Sequence, residues 1–87
     1  MNLIDAIENK HANPYNPIFV AEIKIEDSGE TFDFLVPYYW DPDYTLPQIE
    51  GIYLDNNPAL TEISLILDDY FHDRIMDYLI RYKQEIN

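Results

Sequence analysis

The stretch IFVAEIKIEDSGETFDFLV, residues 18–36, constrains the fold more than any other part of the chain. Phe19, Ala21, Ile23 and Ile25 alternate with Glu22, Lys24 and Glu26, the two-residue period of a half-buried strand. Beyond Asp27-Ser28-Gly29 the alternation resumes, with Phe32, Phe34 and Val36 on one side and Thr31 and Asp33 on the other. The triplet between them suits a tight hairpin, Gly29 being free to take a positive φ. A slip of one residue would turn every apolar side chain to solvent, so the matching faces fix the register. The chain is therefore expected to contain an antiparallel hairpin with one face that must be covered.

The rest of the sequence supplies the cover. Residues 2–10 read as a short helix with Leu3, Ile4 and Ile7 on one side, stopped by the Asn13-Pro14 and Asn16-Pro17 pairs. Pro37 is expected to end the second strand. QIEGIYLD, residues 48–55, reads as a third strand with a bulge at Gly51. Asn57 and Pro58 resemble an N-cap and a first helical residue. No Gly or Pro follows, so the pattern predicts a helix from about 58 to 83, roughly 40 Å long at 1.5 Å per residue. The expected fold is a single α+β domain over 1–87. A small antiparallel sheet packs against one long C-terminal helix, with a short N-terminal helix beside it.

At 100° per residue, Leu60, Ile63, Leu67, Phe71, Ile75, Tyr78 and Tyr82 fall on the core stripe of that helix. The far side carries Glu62, Asp69, Asp73 and Asp77, with Leu65, Ile66, Met76 and Ile80 among or beside them. Aliphatic residues on the back of a helix imply a second packing surface: the N-terminal helix, a symmetry mate forming a homodimer, or another protein. Arg74 lies one turn from Tyr70 and Tyr78, which favours stacking on a ring or hydrogen bonding to an acid over any catalytic role, and Arg81 follows Asp77 at the spacing of a helical ion pair.

Charge narrows the function. Seventeen acids against five bases give a net charge of −12, and no Lys or Arg occurs between Ile25 and Asp73. Such a surface repels nucleic acid and anionic membranes, and it attracts basic proteins. Acidity that serves only solubility is the plain alternative. The aromatic content, 15%, separates the chain from disordered acidic sequences. There are no cysteines, which excludes disulfides and thiolate metal sites. The first ten residues have neither a basic n-region nor an apolar h-region, and no apolar run approaches a membrane span. A cytosolic location is the expectation.

Catalytic and metal chemistry find little support. His11 precedes a turn, and His72 has Asp68 one turn away but no second ligand at a helical spacing. DPDYT, residues 41–45, has two acids at i and i+2 but lacks the later glycine and glutamate of a calcium loop. No phosphate-cradling glycine loop is present, and neither Ser28 nor Ser64 has a nucleophile's setting. The expectation is a protein that is not an enzyme and holds no cofactor or metal. Direct nucleic-acid binding is excluded because the aromatic residues are interleaved with aspartates, not with bases.

PYYWDPDYTLP, residues 37–47, is the remaining feature. Its prolines predict a rigid loop, with two of its four rings inside and Trp40 and Tyr44 exposed beside Asp41 and Asp43. Two functions fit. In the first, Glu62, Asp69, Asp73 and Asp77, with Asp41, Asp43 and Asp55 from loops, imitate a row of phosphates and occupy the basic groove of a nucleic-acid-binding protein. On size and charge alone the chain is similar to phage anti-restriction, anti-CRISPR and uracil-glycosylase inhibitor proteins. In the second, an immunity protein or antitoxin caps a basic toxin nuclease through the aromatic loop. A non-enzymatic adaptor or homodimeric subunit, joined through Ile66, Met76 and Ile80, is a further alternative.

Overall fold

The computed structural model describes residues 2–41, 43, 45–57 and 59–86, with residues 82–86 as backbone only. Among these the elements run α1 (Leu3–Lys10), β1 (Phe19–Asp27), β2 (Glu30–Tyr39), β3 (Gln48–Ile49), β4 (Tyr53–Leu54) and α2 (Asp69–Ile86). Strand β2 is central. β1 pairs with one of its edges, and β3 and β4 share the other, all antiparallel. This is the small α+β fold read from the sequence.

The hairpin has the register its apolar faces demand, with Ala21 opposite Val36, Ile23 opposite Phe34 and Ile25 opposite Phe32. Asp27 faces Glu30 across a two-residue loop in which Ser28 (φ 53°) and Gly29 (φ 82°) are both left-handed. Two such residues give the turn whose twist matches that of the strands. Ile23, Ile25, Phe34, Val36 and Tyr38 bury one face of the sheet together with Ile52 and with Ile75 and Leu79 of α2. The Phe71 ring lies 5.3 Å from that of Phe32 and 5.7 Å from that of Phe34, which places the start of α2 near the hairpin end of the sheet.

Helix α1 packs on the other face, not beside α2. Ile7 is fully buried there with Leu35 and Tyr53, and Leu3, Ile4, Val20 and Leu60 close around them. Val20, Leu35 and Pro37 are apolar positions on the outer face that elsewhere carries Glu22, Lys24, Thr31 and Asp33, and Val20 and Leu35 pack into the second core. The result is a helix on each side of one sheet.

Strand β2 does not end at Pro37 but continues to Tyr39, with Pro37 buried opposite Val20. The two backbone polar groups of a strand residue point to the same edge. The Pro37 carbonyl accepts from the Glu50 amide at 2.8 Å, so the nitrogen that carries no hydrogen also faces the third strand. Pairing fails at that point. The expected strand over 48–55 is split into β3 and β4, with the kink at Glu50–Ile52 as the position of Gly51 foretold.

Helix α2 begins at Asp69, eleven residues after the expected start, and is 18 residues long, about 27 Å. The N-cap signal is real but local. The Asn57 side chain accepts from the Ala59 amide and its carbonyl from the Leu60 amide, closing one turn. Leu60 then takes a left-handed conformation, φ 53°, which a bulky residue adopts only when its surroundings compel it. The compulsion is tertiary. Leu60 packs in the core beneath α1, while Ile63 packs in the core beneath α2. In a helix these two residues would share a face, so the chain must break to reach both sides of the sheet. Residues 63–67 make a single turn, with the Ile66 and Leu67 amides donating to the Ile63 carbonyl, and the Asp68 carbonyl opens α2. Leu79 is buried in place of the expected Tyr78, which is 42% exposed, and the Tyr82 side chain lies outside the described residues.

Candidate interaction surface

The outer side of α2 is the most strongly patterned surface. Asp69, Asp73 and Asp77 recur at i, i+4 and i+8 and all are exposed, because Phe71, Ile75 and Leu79 turn the opposite side to the sheet. Arg81 Nε reaches Asp77 Oδ2 at 3.2 Å, the ion pair expected from the spacing. The Arg74 guanidinium lies over the Tyr70 ring, 5.8 Å from its centroid, and donates to the Tyr70 hydroxyl at 3.3 Å. Both arginines of this face are thus engaged within the helix, and Asp69 and Asp73 have no cation partner among the described residues.

Glu62 does not belong to the row. It precedes the helix, and its carboxylate is folded inward: Oε1 accepts from the Ile52 amide at 2.8 Å and from the Ser64 amide at 2.9 Å. Burial pushes the Glu62 carboxyl up. Hydrogen bonds from the Ser64 side chain and the Ile52 and Ser64 amides, with His11 nearby, outweigh it and hold the carboxyl below its ordinary value. The Ile63 amide also donates to the Ile52 carbonyl at 2.9 Å. Residues 62 and 63 therefore satisfy both backbone groups of Ile52 at the gap that Pro37 leaves in the sheet. Gly51 makes room for this clasp, since a Cβ there would stand 3.1 Å from Glu62 Cγ and 3.3 Å from Tyr53 Cε2.

The loop acids are dispersed. Asp41 and Asp43 follow the end of β2, where the Asp43 amide donates to Asp41 Oδ1 at 2.9 Å. Asp55 is paired by its amide to the Asp33 carbonyl, six strand residues back from Tyr39 and so about 20 Å away. It lines an open groove with Glu22, Lys24 and Asp33 on the face of the sheet opposite α2. The acids proposed for one phosphate-like array thus occupy several faces. Trp40 is not an exposed anchor either, being half-buried and packed against the main core, while Tyr38 is buried. Tyr44 lies outside the described residues.

The apolar residues divide in the same way. Met76 and Ile80 lie on α2 and are half-buried, whereas Ile66 sits on the preceding turn and is 82% exposed, so the three do not form one helix face. Four of the seven exposed large apolar side chains among the described residues fall within one segment: Leu65, Ile66, Tyr70 and Tyr78. Two adjacent aliphatics out of phase with the half-buried Ile63–Leu67 pair are the sequence signal for the exposed Leu65 and Ile66. The exposure of Tyr70 and Tyr78 has no such signal, since the sequence offers them only as ring partners for Arg74 and, for Tyr78, as core.

The histidines have structural partners. His11 Nε2 shares a 2.7 Å hydrogen bond with the hydroxyl of buried Tyr53, whose ring also lies 5.4 Å from the Lys10 ammonium. His72 Nε2 donates to the Ser64 carbonyl at 2.7 Å and ties the 63–67 turn to α2. Among the described residues no three His, Asp or Glu side chains are grouped to hold a metal ion, and no helix is long and apolar enough to cross a membrane. No family model, curated protein or solved structure matches the chain.

Proposed function

We propose that the chain is a cytosolic, non-enzymatic binding protein. In this reading the acidic side of α2 occupies the basic groove of a nucleic-acid-binding protein and keeps the nucleic acid out, as an inhibitor of the anti-restriction or anti-CRISPR kind would. One observation carries the reading: Asp69, Asp73 and Asp77 form an exposed row whose neighbouring arginines, Arg74 and Arg81, are already engaged. Four helical residues advance about 6 Å, against about 3.4 Å of duplex axis per phosphate of one DNA strand. The row therefore carries a little over half the axial charge density of one strand. Asp77 shares its charge with Arg81, which leaves Asp69 and Asp73 as the strongest pair. A toxin-capping role through the aromatic loop, residues 37–47, has less to stand on, because Trp40 is half-buried and packs against the core.

The test is recovery of partners from a nuclease-treated lysate of the source cells at low and high salt. The wild-type chain is compared with Asp69→Lys/Asp73→Lys. The reading expects a basic nucleic-acid-binding protein that is retained at low salt, released at high salt and lost with the variant. A partner that binds both forms equally would refute it.

A further inference from the structure

We infer that Leu65 and Ile66 are the apolar anchor of the partner-binding face. Their occupant is a basic protein with an apolar socket ringed by Lys and Arg, not a second copy of this chain. This inference rests on the proposed function and deepens it by naming where the partner is gripped.

Leu65 is 97% exposed and Ile66 82%, and they are adjacent. Single exposed aliphatics are ordinary, but two adjacent ones, with Tyr70 also exposed four residues further on, are not. The pair is also held out. Ile63 and Leu67 on either side are packed into the core, the Ile63 carbonyl closes the turn, and the His72 ring and the Glu62 carboxylate fasten Ser64 from both directions. A turn anchored in this way cannot roll its aliphatic residues inward. It presents them with little left to order on binding, the condition under which apolar anchors contribute most.

Charge selects the occupant. Asp68, Asp69 and Asp73 follow the pair in sequence and all are exposed. A two-fold dimer places the same patch on both subunits. It would bring these acids against their own equivalents, in a chain of net charge −12 whose nearest arginine, Arg74, lies over Tyr70. A Lys/Arg-ringed socket meets the same acids favourably. The acids steer the encounter and the aliphatic pair slows dissociation.

The experiment places a benzophenone photocrosslinker at position 65 of the full chain, with position 15 as control, since Tyr15 is 88% exposed but distant in sequence. After irradiation in nuclease-treated lysate, mass spectrometry maps the crosslinked residues. Support requires crosslinks from position 65, and not from 15, to an apolar site flanked by Lys or Arg on a basic protein. It also requires that Leu65→Ser/Ile66→Ser weaken that complex by roughly tenfold or more at every salt concentration. The double variant should melt like the wild type because both side chains are already in water. Crosslinks from position 65 to the chain itself, or equal yields from both positions, overturn the inference. If a basic partner is recovered and binds the double variant as tightly as the wild type, the anchor is refuted while the proposed function stands. If no basic partner is recovered, both fall.

Discussion

Removing the Glu62 carboxylate should destabilise the protein far more than removing any exposed acid. In Glu62→Ala the buried Ile52 amide loses its acceptor inside the gap between β3 and β4. An orphaned buried donor costs about 1–3 kcal/mol, and the Ser64 bonds add about 1 kcal/mol. The expected loss is therefore about 2–4 kcal/mol, a large share of the ~5–15 kcal/mol that holds a domain. Each kcal/mol lowers the melting midpoint by about 4–8 °C in a domain of this size. Glu62→Gln keeps a carbonyl acceptor and should lose about 1 kcal/mol, and exposed Glu50→Ala should stay within about 0.5 kcal/mol of wild type. Urea titration followed by the fluorescence of Trp40, the sole tryptophan, measures all three. The pH dependence has a definite sign. The folded-state pKa of Glu62 lies below its ordinary value, so its stabilisation is complete above the unfolded pKa and is lost as pH falls through the folded one. Mutual repulsion in a chain of charge −12 is relieved over the same acid range. The signature is thus the difference between wild type and Glu62→Gln, which should shrink on acidification. A Glu62→Ala variant as stable as Glu50→Ala would refute the clasp.

Gly51→Ala should cost about 1–2 kcal/mol by crowding Glu62 and Tyr53. Combined with Glu62→Ala it should cost less than the sum of the two, which a double-mutant cycle by urea denaturation resolves. Tyr53→Phe removes the hydroxyl bonded to His11 and should cost about 1 kcal/mol. Thermal melting would detect the loss, and an unchanged midpoint would mean that solvent satisfies His11 equally well.

The hairpin was legible because its information is local: period-two alternation on both strands, and a turn whose glycine sits where a left-handed residue is needed. The pairing of Arg81 with Asp77 was legible for the same reason, and of the partners the spacing offers Arg74, a ring or an acid, the structure takes the Tyr70 ring. The start of α2 was not. Asn57 does cap a turn, but the fate of Leu60 depends on a core on the far side of the sheet, which no local pattern reports. The helical spacing of Ile63, Leu67, Phe71 and Ile75 nevertheless described real burial, since a single turn and a later helix keep the same residues inward. The position of α1 had a trace in the sequence. Leu35 interrupts the polar alternation to make the run Phe34-Leu35-Val36, and a continuous apolar run marks a strand covered on both faces. The helical pattern puts Glu62 with Asp69, Asp73 and Asp77 on the solvent side, but the helix begins only after it and its carboxylate turns to Ile52.

The central claim is that the acidic side of α2 takes the place of nucleic acid on a basic partner. Competition between duplex DNA and the chain for the recovered partner tests it most directly, with fluorescently labelled DNA and anisotropy as the readout. The account predicts that the wild-type chain displaces the DNA at stoichiometric amounts and that Asp69→Lys/Asp73→Lys does not. A ternary complex in which DNA and the chain sit on the partner together would contradict it.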